Sequence, residues 1–185
     1  MRNSVLKIKS KQDNIIHVCE IHEKDAWSIC DFAVANEDRL KDFFPKTLAQ
    51  NLNPELAQIF IQLKTKQFRE KEEYLFVLKE EEEKKIIGLV YIKELLKLKG
   101  QGEFAYCIDY NFEGHGIITQ VVTKLADYAF NFLKLDRLQI IVHKSNTASI
   151  NVAENCNFLW KQTLIKSFKP TNREAMDMEL YERFN

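Results

Sequence analysis

The sequence predicts a mixed α/β fold, a twisted central sheet of about six to seven strands flanked by about four helices. Three observations carry this. Alternating, β-branched runs recur along the chain, as strands require. Between them lie runs with apolar residues at three- and four-residue spacing, as amphipathic helices require. No linker, repeat or low-complexity stretch interrupts the order, which reads β-α-α-β-β-β-α-β-α-β-β. The expected boundaries are an N-terminal arm or edge strand over 1–14 and one domain over 15–185.

The opening stretch MRNSVLKIKSKQ holds Arg2, Lys7, Lys9 and Lys11 but no apolar core, so it does not read as a secretory signal. It reads as a frayed arm or an exposed edge strand. NIIHVCEI alternates and is a strand. KDAWSICDFAVANEDRLKDFF has helical spacing through Ala26, Ile29, Phe32, Ala33 and Leu40, and Pro45 ends it. A second helix starts at Asn53, its N-cap, with Pro54 in the first helical position. YLFVLK and KIIGLVYIKEL flank the charged turn EEEEK as a hairpin, and GEFAYCIDY is the next strand. GIITQVVTKLADYAFNFLKL is the longest amphipathic run, with Ile117, Val121, Val122, Leu125, Tyr128, Ala129, Phe132 and Leu133 on one face. DRLQIIVH is a buried strand, NTASINVAENCNF a short helix, and LWKQTLIKSFKP and REAMDMELYERF the closing strands.

The bulk composition narrows function. The 185 residues are 45% hydrophobic, enough for a real core, and 27 basic residues balance 27 acidic ones. That balance provides no global basic field, which disfavours nucleic acid as the main partner. No apolar run is long enough to cross a bilayer. Cys19, Cys30, Cys107 and Cys156 are widely spaced without a C-x-x-C, and read as the reduced thiols of a cytoplasmic protein. His17, Cys19 and His22 lie close together, but strand alternation explains them and no second ligand pair follows, so no metal is expected.

NFEGHGIITQVV places Gly114 and Gly116 between a strand and a helix. The first N–H groups of a helix lack intrahelical partners and sit at its positive end, so a phosphate is favoured there. Glycine lets an anion approach the backbone and tolerates positive φ. The N–H groups from Glu113 to Ile118 are the candidate donors. The stretch is neither a P-loop, lacking G-K-[ST], nor a dinucleotide fingerprint, lacking the third glycine. A plain tight turn explains the same glycines.

NFEGHGI resembles the [QR]-x-x-G-x-[GA] loop of the GNAT superfamily of acyl-CoA-dependent N-acetyltransferases. NTASINVAENCNF resembles that family's N-x-x-S-x-x-x-x-E-x-x-G-F helix through Asn146, Ser149, Glu154 and Phe158. NEDRLKDFFP, GEFAYCID, LADYAF and the closing Asp177 and Tyr181 are similar to segments of the RimJ/RimL-like branch, which acetylates protein N-termini. The likeness runs in order from about Ile15. It departs from the pattern at Asn111, in place of Gln or Arg, and at His115, in place of a frequent Lys or Arg. Asn157, Ala105 and Cys107 replace a glycine, a glycine and a tryptophan.

The resemblance implies acetyl-CoA as co-substrate and an amine acceptor, a protein N-terminal α-amine first, with a small amine or antibiotic as the alternative. A catalytically silent acyl-CoA module on the same fold is a further reading, as is an unrelated α/β interaction domain. The chain would act as a monomer or a homodimer, with no membrane or nucleic-acid partner. AYCID would splay from LQIIV, so that backbone N–H groups near Cys107 and Ile108 hold the thioester carbonyl and pantetheine arm. The pyrophosphate would sit on Asn111, Glu113, Gly114, His115, Gly116, Ile117 and Ile118. Ser149 would donate to the leaving thiolate, and Asn146 would bond the pantetheine amides or simply cap its helix. Glu103, which shares a strand face with Cys107, is the candidate base, desolvated by neighbours such as Phe104, or else a solvated strand-end glutamate. Tyr106 and His143 are secondary proton-transfer candidates. An acyl-cysteine on Cys107 or Cys156 is the disfavoured alternative to direct transfer. Acceptor specificity is expected from Asp25 to Glu73 and from Leu95 to Gly102, with Trp27, Phe43 and Phe44 as candidate lining residues.

Overall fold

The computed structural model describes residues 4–82, 84–95, 99–170 and 174–185. Positions 96–98, in the middle of the loop expected to influence acceptor choice, and 83, in the charged turn, lie outside the described residues.

The strands are β1 (Ser4–Lys9), β2 (Ile15–Glu20), β3 (Tyr74–Glu80), β4 (Ile86–Lys93), β5 (Gln101–Ile108), β6 (Arg137–Val142), β7 (Leu159–Phe168) and β8 (Met176–Phe184). They form one eight-stranded sheet in the order β1-β2-β3-β4-β5-β6-β8-β7. The expected mixed fold is there, with one strand more than the seven read from the sequence: β1 pairs antiparallel with β2 along the sheet edge. Only β5 and β6 run parallel among the described strands. That requires a crossover between them, and the helix α5 (Ile117–Asn131) supplies it.

The remaining helices are α1 (Ala26–Ala35), α2 (Glu37–Phe43), α3 (Pro45–Ala49), α4 (Pro54–Glu70) and α6 (Thr147–Asn155). The expected single helix over Lys24 to Phe44 is two, α1 and α2, with α3 following at once. Asn36 breaks the first: its side-chain amide donates to Phe32 O at 2.9 Å, an interaction that competes with continued helix. Pro45 opens α3 instead of only ending a helix, because the first helical position has no intrahelical use for its missing N–H. The start of α4 matches the reading, with Asn53 Oδ1 accepting from Leu56 N at 2.9 Å. Helix α5 ends earlier than expected, and Phe132, 74% exposed, stacks on Tyr128 at the surface instead of joining the core.

Two cores lie on opposite faces of the sheet. One packs α5 and α6 on Phe76, Ile87, Val90, Phe104 and Ile108. The other packs α1 to α4 on Leu75, Val77, Leu89 and Tyr91. Strand alternation divides β5 between them: Phe104, Tyr106 and Ile108 face α5 and α6, while Ala105 and Cys107 face the other helices.

Candidate active site

The β5–β6 ladder runs from Gln101↔Arg137 to Phe104↔Ile140 and stops. Both strands continue, β5 to Ile108 and β6 to Val142, so a gap opens in the sheet. β5 stays paired with β4 to Ile108, and Asp109 N donates to Ile87 O at 2.7 Å. Successive N–H groups of a strand point to opposite sides. Cys107 N–H therefore faces β4, while those of Tyr106 and Ile108 face the gap. This corrects the expectation for Cys107, whose backbone donor is committed to the ladder. Of these residues Tyr106 and Ile108 are the ones that present an N–H to the gap, and register parity is the signal that finds them.

Beyond β5 the chain turns tightly. Asp109 Oδ1 accepts from Asn111 N at 2.9 Å and from Asn111 Nδ2 at 3.1 Å. The side chain of Asn111 is thus engaged locally, where the family loop carries a longer Gln or Arg. A 3₁₀ turn, Tyr110–Phe112, follows, anchored by buried Phe112. Gly114 and Gly116 both have φ of +72°, a conformation that side-chain-bearing residues disfavour. Gly116 is the N-cap of α5, and its carbonyl receives Gln120 N at 3.2 Å. A Cβ at Gly114 would meet nothing within 4 Å, so the loop is open on that side. Ile117 and Ile118 bury their side chains and leave their backbone N–H groups at the helix mouth.

Neighbouring elements brace the loop. Arg39 of α2 pairs with Glu113 and lies 6.0 Å from the Tyr110 ring. His115 O accepts from Lys11 N at 3.3 Å, and His115 Nδ1 is buried without a partner. Nothing in the sequence pattern announces Arg39 or Lys11, because both arrive through tertiary contacts.

Across the gap stands α6. Asn146 Oδ1 accepts from Ser149 N at 3.0 Å, so Asn146 does cap this helix. Ser149, half-buried in the first turn, receives the Tyr106 hydroxyl on its backbone carbonyl at 3.2 Å. Burial pushes the Tyr106 phenol up, which keeps it a donor. His143 Nδ1 lies 2.7 Å from Ser145 Oγ, tied into the turn before α6.

On the other face of β5, Glu103 Oε1 lies 2.9 Å from Lys93 Nζ. Its expected apolar neighbour Phe104 points to the opposite face, so an ion pair surrounds this carboxylate in place of an apolar shell. Tyr91 OH and Thr47 Oγ1, 3.1 Å apart, lie nearby beside Phe44. Phe43 stacks on Phe168 of β7 at 5.8 Å. Trp27 is 69% exposed at the start of α1. A hollow of about 340 Å³ at the α1–α2 corner is lined by Val34, Glu37, Asp38, Arg39 and Tyr110.

Neither candidate thiol is activated. Burial pushes Cys107 up to about 12, and Cys156 is also raised by burial while it accepts from Thr123 Oγ1 at 3.4 Å. Among the described residues no group of His, Cys, Asp and Glu is placed to hold a metal, and His17 instead lies 3.2 Å from Glu81.

Comparison with known proteins sets this geometry in context. The Uncharacterized N-acetyltransferase p20 of Bacillus licheniformis is 27% identical over 108 residues, 58% of this chain and 59% of that protein. The Spermidine N(1)-acetyltransferase of Vibrio cholerae serotype O1 is 27% identical over 107 residues, 58% of this chain and 61% of that protein. The chain thus spans about three fifths of the length of these curated relatives. The crystal structure of ribosomal-protein-S5-alanine acetyltransferase from Vibrio fischeri superposes with a TM-score of 0.86 at 23% identity, covering 92% of this chain and 93% of that one. Residues 17–159 match the model of the Acetyltransferase (GNAT) domain, and with that span of the sequence matched the chain belongs to the GNAT acetyltransferase family.

Proposed function

We propose that this chain transfers an acetyl group from acetyl-CoA to a primary amine, a protein N-terminal α-amine first, by direct transfer in a ternary complex. One observation carries the reading. The gap between β5 and β6 leads to the glycine-bearing N-terminus of α5, so inward-facing backbone donors and an anion seat lie along one path. A slender coenzyme arm with a diphosphate at its far end fits that path. The buried, unpartnered His115 Nδ1 and the open side of Gly114 fit it as well. Coenzyme binding falls to Ile108, Gly114, Gly116, Ile117 and Ile118 through their backbone N–H groups, with Glu113 and His115 shaping the seat.

When bound, acetyl-CoA supplies an acyl thioester. The N–H groups of Tyr106 and Ile108 polarise a carbonyl oxygen placed in the gap. The Ser149 hydroxyl, across the gap, would donate a hydrogen bond to the departing thiolate, which takes up its proton from solvent while the amine proton leaves through Glu103, and the Tyr106 phenol holds the Ser149 backbone in place. Glu103 takes the amine proton, directly or through water, while Lys93 holds the carboxylate. Holding both reactants in one cleft supplies the remaining rate gain. The raised thiols of Cys107 and Cys156 speak against a covalent acyl-enzyme.

Glu37 and Asp38 line the α1–α2 hollow beside Arg39, with Asp38 paired to Lys41, and the carboxylate of Glu37 there suits a cationic acceptor. The same feature favours a second reading, a small polyamine, in line with the spermidine-acetylating relative. Release of CoA thiol is to be measured with peptides of varied first residue, spermidine and an aminoglycoside. Turnover of the peptides above the free amines is expected. Turnover of spermidine alone makes the second reading the right one. CoA binding without turnover of any acceptor leaves a silent binding module, and no CoA binding ends the proposal.

A further inference from the structure

The glycine loop has no fixed cation of its own. From Asp109 to Gly116 the chain reads DYNFEGHG, with two carboxylates and neither lysine nor arginine, and α5 adds no cation before Lys124. The helix end provides only about half a positive charge for a group bearing several negative ones. Arg39 reaches the loop but is taken by Glu113.

The turn between β1 and β2 fills this deficit. It is held on the loop at two points: Lys11 N donates to His115 O at 3.3 Å, and Gln120 Nε2 donates to Lys9 O at 2.9 Å. The stem of Lys11 runs along Gly116, its Cε 3.4 Å from where a Cβ would stand. Its two neighbours along β1 are committed elsewhere, Lys7 to Glu81 at 3.0 Å and Lys9 to Asp13 at 2.8 Å. Lys11 is exposed and has no carboxylate partner among the described residues. It also precedes the segment shared with the family, so the shared pattern does not supply it.

We propose that Lys11 is a phosphate ligand of the coenzyme and that the β1–β2 turn is a wall of the coenzyme site. This rests on the coenzyme reading above and extends it to a residue from the N-terminal hairpin. The ammonium group is a compact donor on a flexible stem, able to reach a phosphate seated over Gly114 and Gly116.

Calorimetric titration of CoA into the wild type, Lys11→Gln, Lys11→Arg and Lys9→Gln tests it. Lys11→Gln is expected to weaken CoA about tenfold, the worth of one charge-assisted contact. The loss should be larger at low ionic strength than at high. Lys11→Arg should keep affinity within about threefold, since charge and donors persist. Lys9→Gln, equal in charge change but paired with Asp13, should stay within about twofold. Thermal unfolding of all variants should match the wild type, because the Lys11 side chain is exposed. Repeating the series with 3′-dephospho-CoA assigns the phosphate: a persisting loss points to the diphosphate, a vanishing one to the ribose phosphate. If Lys11→Gln binds CoA like the wild type, or Lys9→Gln loses as much, the inference is wrong and the coenzyme reading stands. If the wild type binds no CoA, both fall.

Discussion

The two faces of the sheet are built by different means. On one face, α5, with the short α6 beside it, buries Ile117, Ile118, Val121, Val122, Leu125, Ala126, Ala129 and Phe130 in a continuous stripe. On the other face, four helices do the covering, the short α1, α2 and α3 together with the long α4, and Asp25, Asn36, Thr47 and Asn51 are buried among or beside them. Asp25 pairs with Lys79 and Thr47 meets the Tyr91 hydroxyl, while the two asparagines act locally. Asn36 ends α1, and Asn51 Nδ2 donates to Thr47 O at 2.7 Å just past α3. Periodicity sets the face covered by α5, while individual hydrogen bonds set the face covered by α1 to α4.

The largest expected effect tests the periodic face. Phe104 is 2% exposed and meets Phe158 edge-on at 6.2 Å. Phe104→Ala should cost about 3–5 kcal/mol in chemical denaturation, through lost burial and a cavity at the root of the gap. A cost under about 1 kcal/mol would mean that this core collapses easily, and the contrast between the faces would weaken.

Next comes the seat itself. A β-branched residue at Gly116 must adopt φ near +72° beside the Lys11 stem. Gly116→Val should raise the CoA dissociation constant at least about a hundredfold, while stability falls by about 1–2 kcal/mol. Unchanged CoA affinity would reduce the glycines to turn punctuation. Ser149→Ala, across the gap, should lower kcat about 10- to 100-fold with KM for acetyl-CoA nearly constant, as loss of a hydrogen-bond donor used only in the transition state predicts. A rise in KM at constant kcat would make Ser149 a binding group instead.

Much of this was legible because the physics is local. The stripe of α5, the Asn53–Pro54 start of α4, the β3–β4 hairpin and the glycine pair each follow from a short stretch. The break at Asn36 was not legible, since asparagine is compatible with both a helix surface and a stop, and only burial against Phe32 decides. In one dimension a proline that ends a helix and one that opens the next, as Pro45 opens α3, look the same. At the site, the gap and α6 were foreseen through the family likeness. The choice of Tyr106 over Cys107 as inward donor needed the β4–β5 register. Lys11 and Arg39 reach the loop from distant parts of the chain, where no spacing rule connects them.

The irregular face has its own, smaller test. Asn36→Ala removes the bond to Phe32 O from a buried position and should cost about 1–2 kcal/mol. It should also shift acceptor KM more than coenzyme KM, because it loosens the corner that carries Glu37 and Asp38. Equal shifts in both would mean that the two faces are mechanically one.

The smallest effect concerns Cys107, which lies on the irregular face while its strand edges the gap. Its thiol is raised by burial from an ordinary 9.0 to about 12. As pH rises above 9.0 the unfolded chain loses this proton first, so the unfolded state binds fewer protons than the folded one. The contribution is therefore fully present below pH 9.0 and declines as pH climbs toward about 12. The decline is at most about 1.4 kcal/mol per pH unit, and Cys107→Ala should lessen it. The substitution removes little volume, and kcat should remain within about twofold, since a protonated sulfur offers no strong nucleophile. Loss of nearly all activity in Cys107→Ala, together with an acetyl-cysteine trapped in the wild type without amine, would reverse the argument. The thiol would then have to ionise during turnover, and the face assigned here to the acceptor would carry the acyl group first.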